Sequence, residues 1–321
     1  MKPFADDQIL KIADTWRKTG HDLALAVVIS TWGSSPRQPG SLMIIRDDAL
    51  IEGSVSGGCV EGAVIDAGLR AMKGTSAELL EFGVADETAW QVGLSCGGRI
   101  KIWVCSAAAM EADLLDTAAE TLKARRPISL ECRLAEGSLT SSGVSHDGSS
   151  LSEDGAIFHL SVTAQPKLFI IGAVHISQHL APMAEQTGFN VTIIDPRTTF
   201  ASKERFPGAD LVADWPDTIL SQHPLDAECA MVTLTHDPKI DDAALKTALP
   251  HPLFFIACLG SKRTHAARLE RLKEAGFGQE DLARIHGPAG LSIKAETPAE
   301  IAVSVLAQLI AARRGAQESS I

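Results

Sequence analysis

Tyrosine is missing from all 321 residues, so no phenolic acid, base or nucleophile takes part in the chemistry. Aromatics make up only 5% of the chain, too few for the stacking platforms that hold single-stranded nucleic acid. A cation excess is missing too. Lys and Arg number 29 against 40 Asp and Glu, and the net charge of −11 excludes a surface whose main work is neutralising nucleic-acid phosphates or anionic lipid. Any anionic ligand therefore needs a local pocket of positive charge. The six cysteines, at 59, 96, 105, 132, 229 and 258, contain no C-x-x-C pair and no zinc-finger spacing, and they read as reduced thiols. The first residues, MKPFADDQILK, lack a basic segment followed by an apolar one, and no apolar run approaches the ~18 residues of a membrane span. A cytoplasmic chain with neither nucleic acid nor membrane as partner is expected.

What is present is enough chain for two hydrophobic cores at roughly 150 residues each. Residues 6–19 place Ile9, Ile12, Ala13 and Trp16 at helical spacing, and Leu23 to Ile29 is a buried strand. TWGSSPRQPG (31–40) is a turn-rich loop, after which SLMIIR and ALIEGSV pair as strands across Asp47-Asp48. Val60, Ala63, Val64, Ala67 and Ala71 fit one helix face ending near Gly74. Strands at 78–82 and 100–104, a helix over 110–124 and several short strands lead to Gln165-Pro166. From Lys167 the pattern becomes strand–helix alternation: LFIIG, VTIID, DLVA, CAMVTL and LFFIACLG are short apolar runs separated by helical stretches, with a last helix over 298–312. Such runs belong to a parallel sheet covered on both faces. The expected fold is α/β, a mixed α+β domain over 1–165 followed by a Rossmann-like doubly wound parallel sheet over 166–321.

GSVSGGCVEG (53–62) sets strand, small-residue turn and helix in series, so the amides of Gly57, Gly58 and Cys59 are expected at a helix N-terminus, an anion-binding geometry. There Cys59 would be a nucleophile or a soft metal ligand, although a tight turn with a packed, inert thiol has the same spacing. GLSCGGR (93–99) repeats the theme with Cys96, Gly97, Gly98 and Arg99, and Arg37 in the SSPRQPG loop is a local cation. In the second half, LFIIGAVHIS sits where a dinucleotide fingerprint belongs. Gly172 and Ala173 open it, but the second glycine position is Val174 and the third Ser177, while Asp195 lies where a ribose-binding carboxylate would. An NAD(P) site is thus half specified. LTHDPKID offers His236, Asp237 and Asp241, where His236 paired with a carboxylate would orient a ligand, or a structural His lies beside an N-cap at Asp237. Gly260 and Ser261 open a helix whose first turn holds Lys262 and Arg263, cations that oppose the dipole and so suit a bound anion or a partner.

These motifs, together with IHGP and TPAEIAVSVLAQLIAARRG, resemble in order and content the XdhC/CoxI family, accessory factors of molybdenum hydroxylases. The likeness runs from about residue 22 to 315. It implies a chaperone rather than an enzyme, one that binds the molybdenum cofactor as molybdopterin or its cytosine dinucleotide form. It would protect the cofactor while an oxo ligand is replaced by sulfide and deliver it to the apo-hydroxylase. The implied partners are that hydroxylase, a cysteine desulfurase and a second copy of the chain. By motif match Ser56, Gly57, Gly58, Cys59, Cys96, Gly97 and Gly98 are cofactor-site candidates, with Cys59 and Cys96 as molybdenum or sulfide contacts. Gly172, His175, Asp195, His236 and the 260–263 turn are the Rossmann-side candidates. Where the family often has GLDIGA this chain has Lys294, a further cation. An NAD(P)-dependent oxidoreductase and a scaffold that binds no cofactor are the rival readings.

Overall fold

The computed structural model describes residues 6–33, 37–74, 77–83, 98–144 and 148–315. The chain divides between residues 164 and 165 into two units, each with its own cores. In the first, the apolar run at Leu23 is strand β1 (Leu23–Trp32). It lies at the centre of a five-stranded antiparallel sheet ordered β3-β2-β1-β5-β4, with β2 Leu42–Arg46, β3 Ile51–Gly53, β4 Ala77–Phe82 and β5 Arg99–Ser106. Both faces of this sheet are covered, which is why β1 reads as a continuous apolar run rather than an alternation. Leu25 and Val27 point into a core shared with α1 (Asp6–Lys18), α3 (Leu114–Lys123) and a second sheet carrying Leu130, Phe158 and Leu160. That sheet has four strands, β6 Ile128–Arg133, β7 Ser138–Ser141, β8 Ser150–Leu151 and β9 Ile157–Val162, ordered β7-β6-β9-β8.

On the opposite face Ala24, Ala26 and Val28 meet Val60, Val64 and Ala67 of α2 (Glu61–Met72) and the residue before it. Small residues set the distance there. A Cβ added to Gly68 would stand 3.1 Å from Ile45 Cδ1 and 3.3 Å from Ala24 Cβ, so α2 lies directly on the sheet. That contact fixes the N-terminus of α2, and with it the Ser54–Val60 loop. The helix expected over 110–124 begins only at Leu114, because Met110 bridges to Leu139 and the Glu111 amide donates to the Leu139 carbonyl. A strand partner has taken the backbone groups that a first helical turn would use.

In the second unit β10 (Lys167–Ile171), β11 (Asn190–Ile194), β12 (Asp210–Val212), β13 (Cys229–Thr233), β14 (Phe255–Cys258) and β15 (Ile285–His286) form one parallel sheet ordered β12-β11-β10-β13-β14-β15. Leu168 and Ile170 face a core with α4 (His175–Gln186) and α9 (Pro298–Arg313). Phe169 and Ile171 face the other, with α6 (Pro238–Ala248), Leu272 of α7 (Lys262–Glu274), and the short α5 (Pro216–Leu220) and α8 (Gln279–Ala283). This is the doubly wound Rossmann-like arrangement expected from the strand–helix alternation. The chain winds outward from β10 in one direction and from β13 in the other, and open α/β sheets bind ligands at the carboxyl ends beside such a switch. The α9 start is specified locally: Thr297 and Glu300 satisfy each other's amides as a capping box, with Pro298 at the first helical position.

Replacing Gly68 with Val should push α2 off the sheet and cost ~1–3 kcal/mol of stability. Urea unfolding followed by circular dichroism checks this.

Candidate functional site

Two glycines with positive φ, Gly57 (+81°) and Gly58 (+116°), let the loop between β3 and α2 turn its amides inward. The anion cradle expected from GSVSGGCVEG is formed, and its anion is the chain's own Glu61. The amides of Ser56 (2.9 Å), Gly57 (3.0 Å) and Gly58 (2.9 Å) donate to the Glu61 carboxylate. So do the hydroxyls of Ser54 (2.8 Å) and Ser56. Ser56 Oγ in turn accepts from the amides of Cys59 and Val60, both at 3.0 Å. Partial burial works against ionisation of Glu61, but the two hydroxyls and the Ser56 amide outweigh it and hold the carboxyl down at about 2. An amide cradle that is already filled does not bind a second anion without losing these bonds.

Arg37 belongs to the same cluster, its Nε donating to the Ser54 carbonyl at 2.9 Å. Its charge buttresses the loop. The sheet also brings the other N-terminal candidates to this end. β1 and β3 finish here and β5 starts here, so the Arg37 loop, the Cys59 loop and Arg99 emerge along one edge. β3 and β5 are three strand spacings apart, roughly 14 Å. Gly98 is buried, and the exposed Arg99 pairs in register with the exposed Trp32. Cys96 and Gly97 lie outside the described residues. Cys59 is half-buried against the Val55–Val60–Val64 core, while Cys105, Cys132, Cys229 and Cys258 are fully buried. Burial pushes the Cys105 and Cys132 thiols well up and the Cys258 thiol to about 11. Among the described cysteines Cys59 alone is not fully buried.

In the second unit the candidates collect at the carboxyl edge of the sheet. Gly172 (φ +116°) packs so closely on the next loop that an added Cβ would lie 2.7 Å from Thr235 Cγ2. Asp195 is fully buried and does not offer a free acceptor to a ribose. One or other of its oxygens accepts from the Ala173 amide (2.8 Å), the Arg197 amide (2.9 Å), and Arg197 Nε (2.9 Å) and Nη2 (2.7 Å). Burial opposes its charge and the Arg197 contacts prevail, so its carboxyl lies below the usual range. Asp195 thus braces the Gly172-Ala173 turn, and Arg205 closes that turn by donating to the Ala173 carbonyl. Asp237 is the N-cap of α6 and accepts from the Lys239 amide, which is the structural alternative for this loop. His175 and His236 are exposed, and His236 holds a left-handed φ of +61°. Gly260 turns the chain into α7 and Ser261 caps it, accepting from Thr264, with Lys262, Arg263 and Lys294 exposed.

Residues 168–309 match the XdhC Rossmann domain and residues 16–83 match the XdhC and CoxI family, together about two thirds of the chain. This chain belongs to the XdhC/CoxI family. It is 27% identical over 319 residues to the molybdenum cofactor insertion chaperone PaoD of Escherichia coli strain K12, covering 97% of this chain and 90% of PaoD. It is 26% identical to a probable xanthine dehydrogenase subunit of Bacillus subtilis strain 168, covering 91% and 94%. The uncharacterized protein YqeB of E. coli K12 is 26% identical over 91% of this chain, which spans only 44% of YqeB. A crystal structure of a xanthine dehydrogenase from Bacillus halodurans shares the fold, with a TM-score of 0.74, 24% identity and coverage of 99% and 98%.

Within this XdhC/CoxI chain the residue that sequence reasoning left without a role is Glu61. Its signal was an acid in the first helical turn, preceded by two serines and two glycines that leave amides to be satisfied. No group of three or more His, Cys, Asp or Glu suited to a metal ion occurs among the described residues. No helix among them is long and apolar enough to cross a membrane.

Because the folded-state carboxyl of Glu61 titrates below its ordinary value of 4.5, its stabilisation is complete above about pH 5 and is lost as the pH falls toward 2. Glu61→Gln should therefore cost ~1 kcal/mol at pH 7, discounted for a half-exposed group. The difference from the parent chain should shrink below pH 5, as read from urea unfolding across that range.

Proposed function

We propose that this chain is a maturation factor for molybdenum hydroxylases. It carries the molybdenum cofactor as cargo, shields it while an oxo ligand is exchanged for sulfide, and passes it to the apo-enzyme. The observation that carries the reading is end-to-end similarity to a molybdenum cofactor insertion chaperone, spanning 97% of this chain and 90% of that one. The half-buried Cys59 suits it chemically. A thiol at a helix start, neither sealed in the core nor freely solvated, is a soft ligand for molybdenum or its sulfide. Ser56, Gly57 and Gly58 do not grip the cargo in this conformation. They are fixed by Glu61 and present Cys59 on a rigid loop.

With the Cys59 cradle filled, the anionic end of molybdopterin or of its cytosine dinucleotide form is left to cations elsewhere. Arg99, exposed at the same end of the first unit's sheet, fits that task. Cys96, in the same G-rich setting, is the second thiol of the proposal. The partners are an apo molybdenum hydroxylase, a cysteine desulfurase that supplies the sulfide, and a second copy of the chain. The oxidoreductase reading has lost support: the ribose-side carboxylate Asp195 is spent on Ala173 and Arg197, and Val174 stands where the pyrophosphate needs a glycine.

Purified parent and Cys59→Ala chains, loaded with molybdopterin and mixed with apo-hydroxylase, test the proposal. The variant should bind the cofactor at least tenfold more weakly and fail to restore full hydroxylase activity. Unchanged affinity with full restoration would overturn the role of Cys59, and full restoration by a chain lacking both Cys59 and Cys96 that no longer binds the cofactor would favour a scaffold.

A further inference from the structure

Five polar atoms without a hydrogen-bond partner gather in one place in the second unit, beneath the carboxyl edge of the sheet. They are Thr233 Oγ1, Asp241 Oδ2, His265 Nδ1, and Nε and Nη1 of Arg268. Thr233 ends β13 and pairs in register with Cys258, which ends β14, while Asp241 and Arg268 come from α6 and α7, the helices that follow those strands. Arg268 is 2% exposed, Asp241 1% and Thr233 fully buried. The guanidinium spends Nη2 on the Leu259 carbonyl at 3.0 Å and stands 3.6 Å from Asp241, beyond hydrogen-bond reach. Three of its five N–H groups, on Nε and Nη1, are thus left with no acceptor. Asp241 spends Oδ1 on the Thr235 hydroxyl at 2.6 Å, and its Oδ2, the oxygen 3.6 Å from Arg268, accepts no hydrogen bond.

Buried polar groups of native proteins are nearly always satisfied, and a cluster of five at the ligand-binding edge of an open α/β sheet calls for an occupant. The neighbouring charges are already accounted for, since Arg271 grips Asp242 through two bonds of 2.6 and 3.0 Å. The cluster lies against the edge loops. His265 packs on Gly287 so tightly that a Cβ there would overlap its ring, and Gly287 lines a cleft of about 510 Å³ with His286, Pro288 and Gln308.

We propose that Arg268, Thr233, His265 and Asp241 form a binding site for a monohydrogen phosphate group. Arginine N–H groups and a hydroxyl donate to its oxygens, and Asp241 Oδ2 accepts its single P–O–H. The donor set alone would take any small oxyanion. That carboxylate oxygen sets the selectivity, because a phosphate at neutral pH has a proton to give and a sulfate has none. Burial pushes the Asp241 carboxyl up while Thr235, Arg268 and the neighbouring Thr233 pull it down, so the acceptor is best kept ionised by working at pH 8. The group could be inorganic phosphate or the terminal monoester of a larger ligand. Only the second source bears on the cofactor-carrier reading, and the site stands without it.

Thermal unfolding and titration calorimetry of the full chain at pH 8 with inorganic phosphate, sulfate and glycerol 1-phosphate test this. Saturable stabilisation by phosphate with at least tenfold weaker binding of sulfate is expected. Equal binding of glycerol 1-phosphate would identify the end of a larger ligand, and its exclusion would identify the free ion. Asp241→Asn, whose amide donates, should narrow or invert the preference toward sulfate, and Arg268→Gln should abolish binding of both. No saturable effect of phosphate, or equal binding of phosphate and sulfate by the parent chain, would overturn the proposal even if either variant failed to fold. A failed phosphate titration beside an intact Cys59 dependence of cofactor binding would sink this site and leave the carrier reading standing.

Discussion

The Glu61 carboxylate is the interaction on which the N-terminal site depends. Five donors converge on it, two serine hydroxyls and three consecutive amides, and without it the Ser56-Gly57-Gly58 turn would hold a row of N–H groups facing one another. Hydrogen bonds to an ionised acceptor are roughly twice as strong as neutral ones, so one side chain stabilises a loop whose glycines favour disorder. Ser56 then passes that order on to the amides of Cys59 and Val60. The Cys59 thiol is placed by a chain of contacts that starts from an acid two residues further along. The close seating of α2 on Ala24 and Ile45 matters for the same reason, since α2 carries Glu61.

The second unit solves the same problem in the same way. The turn after β10 has an inward amide at Ala173, and a buried carboxylate from the next strand end, Asp195, accepts from it while Arg197 neutralises the charge. The glycine turns after β3 and after β10 are thus each stabilised by an internal anion. An acidic chain can therefore form phosphate-loop geometry without bound phosphate. The cost is that these amides are no longer free for a ligand. The net charge of −11 is thus partly used inside the fold, at turns where a more basic protein would wait for a ligand.

This explains what the sequence could convey and what it could not. Periodicity placed the β10 to β14 strands and the α9 helix because each is a run of local preferences, with caps at Thr297 and Glu300 for α9 and at Asp237 for α6, whereas the two-residue β15 is too short to show a period. It placed the strand–turn–helix around Cys59 for the same reason. The start of α3 was misread at Met110 because a bridge to Leu139, 29 residues on, overrode local helical preference. Asp195 was legible as a position but not as a function, since spacing shows that a carboxylate follows β11 and not which donors will reach it first.

Arg268 is the harder case. In THAARLERLKEAG it is one of several charged residues in a helix rich in them, and nothing in the spacing separates it from Arg263 or Arg271. What separates them is where the helix lies. Arg263 faces water, Arg271 meets Asp242 at the rim, and Arg268 alone turns under the edge of the sheet, 2% exposed. A long cation placed there with most of its donors unpaired is expensive unless something answers it. Asp241 answers only in part, across 3.6 Å, and its facing oxygen accepts no hydrogen bond. The first-turn cations Lys262 and Arg263 look more like an anion site in the sequence, yet they sit in water, where a bound charge gains little. A desolvated arginine at the strand ends gains far more from the same contact, so burial rather than motif decides where an anion would be held.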